Sequence, residues 1–285
     1  MEDTQAAPPA VVVAVGSCCV DLIGVVDHFP RPDDKTRTRH FQVECGGNCG
    51  NVAVALARLG VAARPLAKVG ADAWGRFIVQ QLRNEGVDTR SLVVKPGEEP
   101  TRVSSPFTYI IVDQATKTRT CLHTPLSEDF LDEEFFQPAQ IEELLRDCRL
   151  LFLDSRHPRA ARLVALEARK RAIPVLMDIE KVREGMFDLL PVVDSLNTSS
   201  HFPTMYFRAA TDLTNGLVQL LSDYPRLRFI VTTLGEKGSV WIEKANAESC
   251  SELGDEGAST VEAFVDRNYD QWSRAESEWC PSYTK

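Results

Sequence analysis

Residues 11–16 read VVVAVG, five consecutive apolar residues closed by a glycine. An unbroken apolar run leaves no wet face, and its β-branched side chains disfavour a helix. It is predicted to be a strand buried on both sides, as in a parallel sheet covered by helices. RLLFLD at 149–154, PVLMD at 174–178 and RFIVTT at 228–233 repeat the theme, and a further strand is expected near 64–69. Helical patterns separate these runs. One covers 51–59 and stops at Gly60. Another covers 73–85, with Trp74, Phe77, Ile78 and Leu82 on one face and Gly86 as its stop. Others cover 158–171 and about 211–222. Strand alternating with helix implies an α/β domain with a mainly parallel sheet and helices on both faces.

Two segments break the alternation. VDLIGVVDHF and RTRHFQVE, over about 20–43, flank the turn-like PRPDDK; FTYIIVD and TRTCLH, over about 107–123, flank QATK. Both read as β-hairpins rather than strand–helix units. Two inserted hairpins that pair form a small sheet, and over the carboxyl edge of the main strands such a sheet is a lid.

The 285 residues, 44% hydrophobic, suffice for one large domain, expected over 11–242. A net charge of −9 argues against a nucleic-acid backbone as partner. No apolar run reaches 18 residues, so no membrane span is predicted. MEDTQAAPPA, expected to be disordered, has neither the basic start of a signal peptide nor the arginines of a transit peptide, which makes a cytoplasmic location the expectation. The eight cysteines lack the paired spacing of a zinc site and are expected to be reduced, mostly buried thiols. Residues 243–285 hold ten acidic and four basic residues and are expected to be loop or disordered.

Three stretches have the make-up of a binding site. CGGNCGN, 45–51, runs into the 51–59 helix. Gly46 and Gly47 permit close backbone approach to a ligand, and Asn51 stands at the expected helix entrance; a plain turn with an Asn cap fits equally. In GSCCVDLIG, 16–24, Asp21 follows the first strand, where α/β proteins place ligands, although a solvated turn aspartate would read the same. In VTTLGEKGSVWI, 231–242, Gly235 and Gly238 bound a tight loop. Its N–H groups, with Lys237, suit a phosphate; an ordinary hairpin is the alternative. Neither a G-x-G-x-x-G fingerprint nor a Walker A loop occurs, which weighs against a nicotinamide-dependent oxidoreductase.

Taken together, the segments VGSCCVDLIGVVDHFPRPDDKTRTRHFQVECGGNCGNVAVALARLG, VGADAWGRFIVQQLRNEGVDT, PFTYIIVDQATKTRT and VTTLGEKG resemble the ribokinase-like, or PfkB, carbohydrate kinases from about Val11 to Ile242. PFTYIIVDQATKTRTCLHTP looks most like a plant-type branch. The resemblance implies a three-layer α/β/α sandwich with a β-sheet lid that often mediates dimers. It implies transfer of the γ-phosphoryl group of ATP, with magnesium, to a hydroxyl of a sugar or nucleoside. By it, Asp21 matches the substrate carboxylate, Gly46, Gly47 and Asn51 match the substrate-binding turn, and Thr233, Gly235 and Gly238 match the nucleotide-side loop that also contains Lys237.

Two departures stand against it. Where many members have an asparagine followed three residues on by a metal-ordering glutamate, this chain has Asn197 and Ser200. The second signature of the family, Asp-Thr-x-Gly-Ala-Gly-Asp, supplies the anion hole and the general base. ELGDEGAST, 252–260, is its nearest counterpart and does not match: Asp255 and Glu256 would repel phosphate, and no aspartate follows Gly257-Ala258. No catalytic residue is therefore assigned. The expectation is a C-terminally truncated kinase homologue, arising from a splice form or gene-model error and inactive as written; the rival is a non-catalytic module that binds sugar or dimerises.

Overall fold

A computed structural model describes residues 10–95, 105–125, 137–206 and 213–244. The chain falls into two compact units, one of Met1–Asp178 and Arg183–Asp194, the other of Ile179–Val182 and Ser195–Lys285.

In the first unit β1 (Val11–Val15) lies between β4 (Ala62–Leu66) and β9 (Cys148–Leu153), and β9 pairs onward with β10 (Val175–Ile179), all parallel. All five residues of β1 are buried, as an apolar run with no polar alternation requires. Val12, Ala14 and Phe152 pack with residues of α1 (Asn48–Arg58) and α2 (Ala73–Asn84). The alternate residues Val13, Val15, Leu151 and Leu153 are equally buried, so both faces of these strands are covered. Helix α3 (Pro138–Leu144) precedes β9, and α4 (Pro158–Lys170) follows it with Pro158 in its first turn.

The strand expected near 64–69 divides at Ala67. β4 stays with β1, while β5 (Lys68–Gly70) pairs with β6 (Val93–Lys95) in a separate two-stranded sheet. Helix α2 begins where the pattern placed it because Asp72 accepts the Gly75 N–H at 2.8 Å. The same carboxylate holds the Ser105 N–H at 2.8 Å and its hydroxyl at 2.7 Å. That ties the approach to the second hairpin to the start of α2.

Both hairpins form, and they pair. β2 (Cys19–Val26) and β3 (His40–Gly46) are antiparallel, as are β7 (Phe107–Asp113) and β8 (Thr118–Thr124), and β2 lies parallel to β7. The result is a four-stranded sheet in the order β3-β2-β7-β8. Asp113 joins its two turns, accepting N–H groups of Ala115 at 2.9 Å and of Phe29 at 3.3 Å. Of the sheet's two faces, the one with Leu22, Val43 and Phe107 packs against the core. Asp21 is on the other face.

The second unit has β11 (Ser195–Ser199) parallel to β12 (Phe229–Thr233), and β13 (Ser239–Glu243) antiparallel to β12. Helices α5 (His201–Tyr206) and α6 (Leu213–Asp223) connect β11 to β12. SLNTS at 195–199 has too few apolar residues to announce a strand. It is one because Leu196 is buried and Thr198 bonds Thr232 of β12 at 2.7 Å, a buried hydroxyl pair. The expectations for residues 1–9 and 245–285, including ELGDEGAST, lie outside the described residues.

Candidate functional site

The first group of expected site residues gathers where β1 and β2 meet the start of α1. Asp21 is half-buried on β2. Its register partners are Glu44 on β3 and Thr108 on β7. Gly46, at the end of β3, passes so close to Asp21 that a Cβ there would overlap the carboxyl group. Glycine is what lets the backbone of this turn close on the carboxylate. Gly47 follows with φ of 86°, and a Cβ there would strike the Ser17 carbonyl. Gly47, not Asn51, occupies the cap position of α1, and the helix begins three residues earlier than the apolar pattern suggested. Asn51 is therefore exposed within the first turn of α1, its N–H bonded to the Gly47 carbonyl at 2.8 Å. Its amide is on the helix surface rather than at a cap.

Burial raises the Asp21 carboxyl above its ordinary range, and hydrogen bonds from Cys19 and Thr108 partly offset that. The Cys19 thiol lies 3.4 Å from Oδ1. Burial likewise lifts Cys45, to about 12; a bond with Cys18, with burial second, raises Cys49 well above its usual value. These thiols stay protonated at neutral pH. Four of the six described cysteines are buried, and Cys121 is exposed. Cys45 is half-buried.

The strand ends add residues that sequence patterns did not single out. Asp154, just past β9, accepts the Ser17 N–H at 2.7 Å and the Arg156 N–H at 3.0 Å. Gly16 has no side chain because the Asp154 carboxylate fills that space. Burial raises Asp154 to about 6 despite those donors. His157, three residues on, is pushed down to about 3 by burial, with Arg156 and Lys68 adding to the effect. Asp178 on β10 accepts from the Asn48 side chain at 3.1 Å. Carboxylates thus stand at the carboxyl ends of β9 and β10, the edge where α/β proteins bind ligands. Their signal in the sequence was only an aspartate closing each apolar run.

The second group is in the other unit. Thr233 ends β12, and Gly235 and Gly238 turn the chain into β13 with positive φ. Thr233 and Lys237 are exposed. Within the loop the N–H groups of Leu234, Lys237 and Gly238 are bonded to the carbonyls of Gly238, Leu234 and Gly235. The stretch is the turn between the antiparallel β12 and β13. The Thr233 hydroxyl donates to the Thr198 carbonyl at 3.4 Å, and Lys237 is exposed. Asn197 and Ser200 lie on and just after β11. Among the described residues no cluster of three or more His, Cys, Asp or Glu side chains is placed to hold a metal ion. None of the helices described is long and apolar enough to cross a membrane.

The sequence profile described as pfkB family carbohydrate kinase matches residues 10–256. The chain belongs to this family. Among curated pfkB relatives, the 5-dehydro-2-deoxygluconokinase of Geobacillus thermodenitrificans is 30% identical over 179 residues, 60% of this chain and 50% of that protein. The Bacillus subtilis protein of the same name is 28% identical over 176 residues, covering 59% and 50%. The chain spans about half the length of these relatives. Among solved structures, a ribokinase candidate from Agrobacterium tumefaciens superposes with a TM-score of 0.72 at 24% identity, over 84% of this chain and 74% of that one. The Arabidopsis thaliana ribokinase complexed with ribose and ATP gives 0.63 at 18% identity, over 85% and 79%. The fold is the ribokinase-like α/β fold with a small second sheet as its lid, as the resemblance implied.

Proposed function

We propose that the chain is the acceptor-binding part of an ATP-dependent carbohydrate kinase, and that Asp21 is its ligand for the hydroxyls of a sugar or nucleoside. The supporting observation is the closure of the Gly46 backbone on a half-buried carboxylate whose immediate neighbours in its sheet row are Glu44 and Thr108. A carboxylate held this way accepts hydroxyl protons and discriminates their position. Gly46 and Gly47 shape the turn, and Asn51 adds an amide from the helix surface.

ATP, when bound, supplies the phosphoryl group that the acceptor hydroxyl would take. Thr233 and Lys237 are the residues that would meet its phosphates, with Gly235 and Gly238 shaping their loop. Among the described residues no group of three or more His, Cys, Asp or Glu side chains would hold magnesium by itself. A sugar or sugar-acid acceptor is supported by the relatives' names, 5-dehydro-2-deoxygluconokinase and ribokinase, and a plant-type branch, read from 106–125, is part of the same proposal.

The test of the acceptor site is calorimetry with D-ribose, D-fructose and 5-dehydro-2-deoxygluconate. Asp21→Ala should weaken whichever binds by about 10- to 100-fold, since hydrogen bonds to a charged group contribute about 1.5–3 kcal/mol. Unchanged affinity would remove Asp21 from the site.

Binding is proposed to go without turnover in residues 1–285. The sequence contains no Gly-Ala-Gly-Asp turn. Losing a general base alone costs about 10²–10⁴-fold in rate. Magnesium-ATP with the same sugars should yield no sugar-dependent ADP above background. Clear turnover would sink this part of the reading and call for another base, with Asp255 and Asp266 the first to substitute.

A second reading, of a non-catalytic module that self-associates, is favoured by one observation. Phe41, Tyr109 and Leu122 share the lid face opposite Asp21 and are 57%, 50% and 54% exposed. An apolar sheet face of this kind suits a second copy of the chain.

A further inference from the structure

Each residue of Gly46-Gly47-Asn48 meets a different strand end. The Asp21 carboxyl on β2 fills the space of a Gly46 Cβ, and the Ser17 carbonyl, just past β1, fills that of Gly47. Asn48 keeps a side chain, and its Nδ2 donates to Asp178 Oδ2 on β10 at 3.1 Å. Two carboxylates therefore bracket the turn, one from the small sheet and one from the sheet that contains β1. Residues 46 and 48 are at most about 7 Å apart along the chain. Asn48 is exposed and Asp178 half-buried, and Asn51, exposed one turn further along α1, lies on the same helix face as Asn48. Capping does not explain the Asn48 bond. Gly47 caps α1 without a side-chain bond, and the Asn48 amide reaches across to β10 instead of back to its own helix. A carboxylate accepts at up to about four sites, so one bond from Asn48 does not exhaust Asp178.

We propose that Asp178 is a second ligand for the acceptor and Asn48 its positioning residue, so that Asp21 and Asp178 take two different hydroxyls of one sugar across the turn. This rests on Asp21 being the acceptor ligand, as proposed above. It also narrows the acceptor to a polyol that presents hydroxyls toward both ends of Gly46-Gly47-Asn48. Both side chains can only accept, so each selects a hydroxyl by position. Gly46 and Gly47 keep side chains out of the space between them, and Asn48 fixes the orientation of the carboxylate on the far side.

The experiment is calorimetry with D-ribose, D-fructose and 5-dehydro-2-deoxygluconate, followed by the monodeoxy derivatives of whichever binds. In the parent, loss of a gripped hydroxyl should weaken binding about 10- to 100-fold. Asp178→Ala should weaken the complete sugar by a similar factor and bind one deoxy derivative as well as it binds that sugar. Asp21→Ala should become indifferent at a different hydroxyl. Asn48→Ala should lose part of the discrimination at the Asp178 hydroxyl and none at the Asp21 hydroxyl, a pattern that a merely structural contact would not produce. The proposal is overturned if Asp178→Ala discriminates every derivative as the parent does, or becomes indifferent at the same hydroxyl as Asp21→Ala. If Asp178→Ala does not fold, full discrimination in Asn48→Ala, altered only at an exposed side chain, overturns it. Asp21→Ala separates the two readings. If it binds sugar as well as the parent, the acceptor assignment falls and takes this role with it. If it becomes indifferent to one hydroxyl while Asp178→Ala loses none, only the second ligand is lost.

Discussion

Gly46 shows how much one missing side chain can decide. A methyl group there would occupy the space of the Asp21 carboxyl, so Gly46→Ala must move either the β3 backbone or the carboxylate. Sugar affinity should fall at least tenfold while the far-UV circular dichroism stays that of the parent; unaltered affinity would show that the turn has slack. Asp154 makes a different prediction. Its ordinary value is 3.8, and burial in the fold raises it to about 6. Between those values the folded chain holds a proton that the unfolded chain has released. Stability from this group is therefore full below about pH 3.8 and is lost as pH rises through about 6. The whole effect is about 3 kcal/mol. Urea denaturation of the parent and of Asp154→Asn should show the parent losing about that much relative to the variant between pH 4 and 6.5. A constant difference would mean that Asp154 titrates like an exposed carboxylate. His157, depressed by burial, acts with the opposite sign on acidification. Comparison with the variant is needed to isolate Asp154.

Strands differ in how they are held. β1 is paired on both sides and buried on both faces, whereas β13 has only β12 as its described partner, and its residues alternate between exposed and half-buried. Amide exchange should accordingly be slowest in Val12–Val15 and much faster in Val240–Ile242, because an edge strand opens without disrupting a core. Equal protection would mean that another part of the chain covers β13. Trp241 stacks on Phe229 with ring centroids 4.9 Å apart, and it is 56% exposed. Trp241→Ala should therefore cost about 1 kcal/mol, read from the denaturation midpoint. A loss of several kcal/mol would show a more deeply packed ring. The hairpin ends were legible from PRPDDK and QATK, but β11 was not. A strand whose partners are hydroxyls carries no apolar period.

At the scale of the whole molecule the small sheet leaves part of an apolar face open to solvent. Leu22, Tyr109 and Leu122 stand in one row on the apolar face, with Phe41 two residues beyond Val43 of the same row. The part of that face nearest the core is covered, while Phe41, Tyr109 and Leu122 remain open to solvent. If two copies join there, sedimentation should find a dimer that Leu122→Glu converts to monomer without loss of fold. A parent chain monomeric at tens of micromolar would remove the lid as an assembly surface.

Local chemistry was enough for the strands at 11–15, 148–153 and 175–179, for α2 and α4, and for both hairpins. Each carries its own period, cap or turn within a dozen residues, and neighbours need only agree with it. The closeness of CGGNCGN to Asp21 had a sequence trace too, since paired glycines signal a backbone that something approaches. What approaches was not written there. The row Glu44–Asp21–Thr108–His123 joins residues up to 87 positions apart in register, Asp154 reaches back 137 positions to Ser17, and Asn48 reaches 130 to Asp178. Such pairs depend on which strands become neighbours and on how far each is shifted along the next. Those choices are made by burying the whole set of apolar faces at once, so only the tertiary structure could bring these polar groups together.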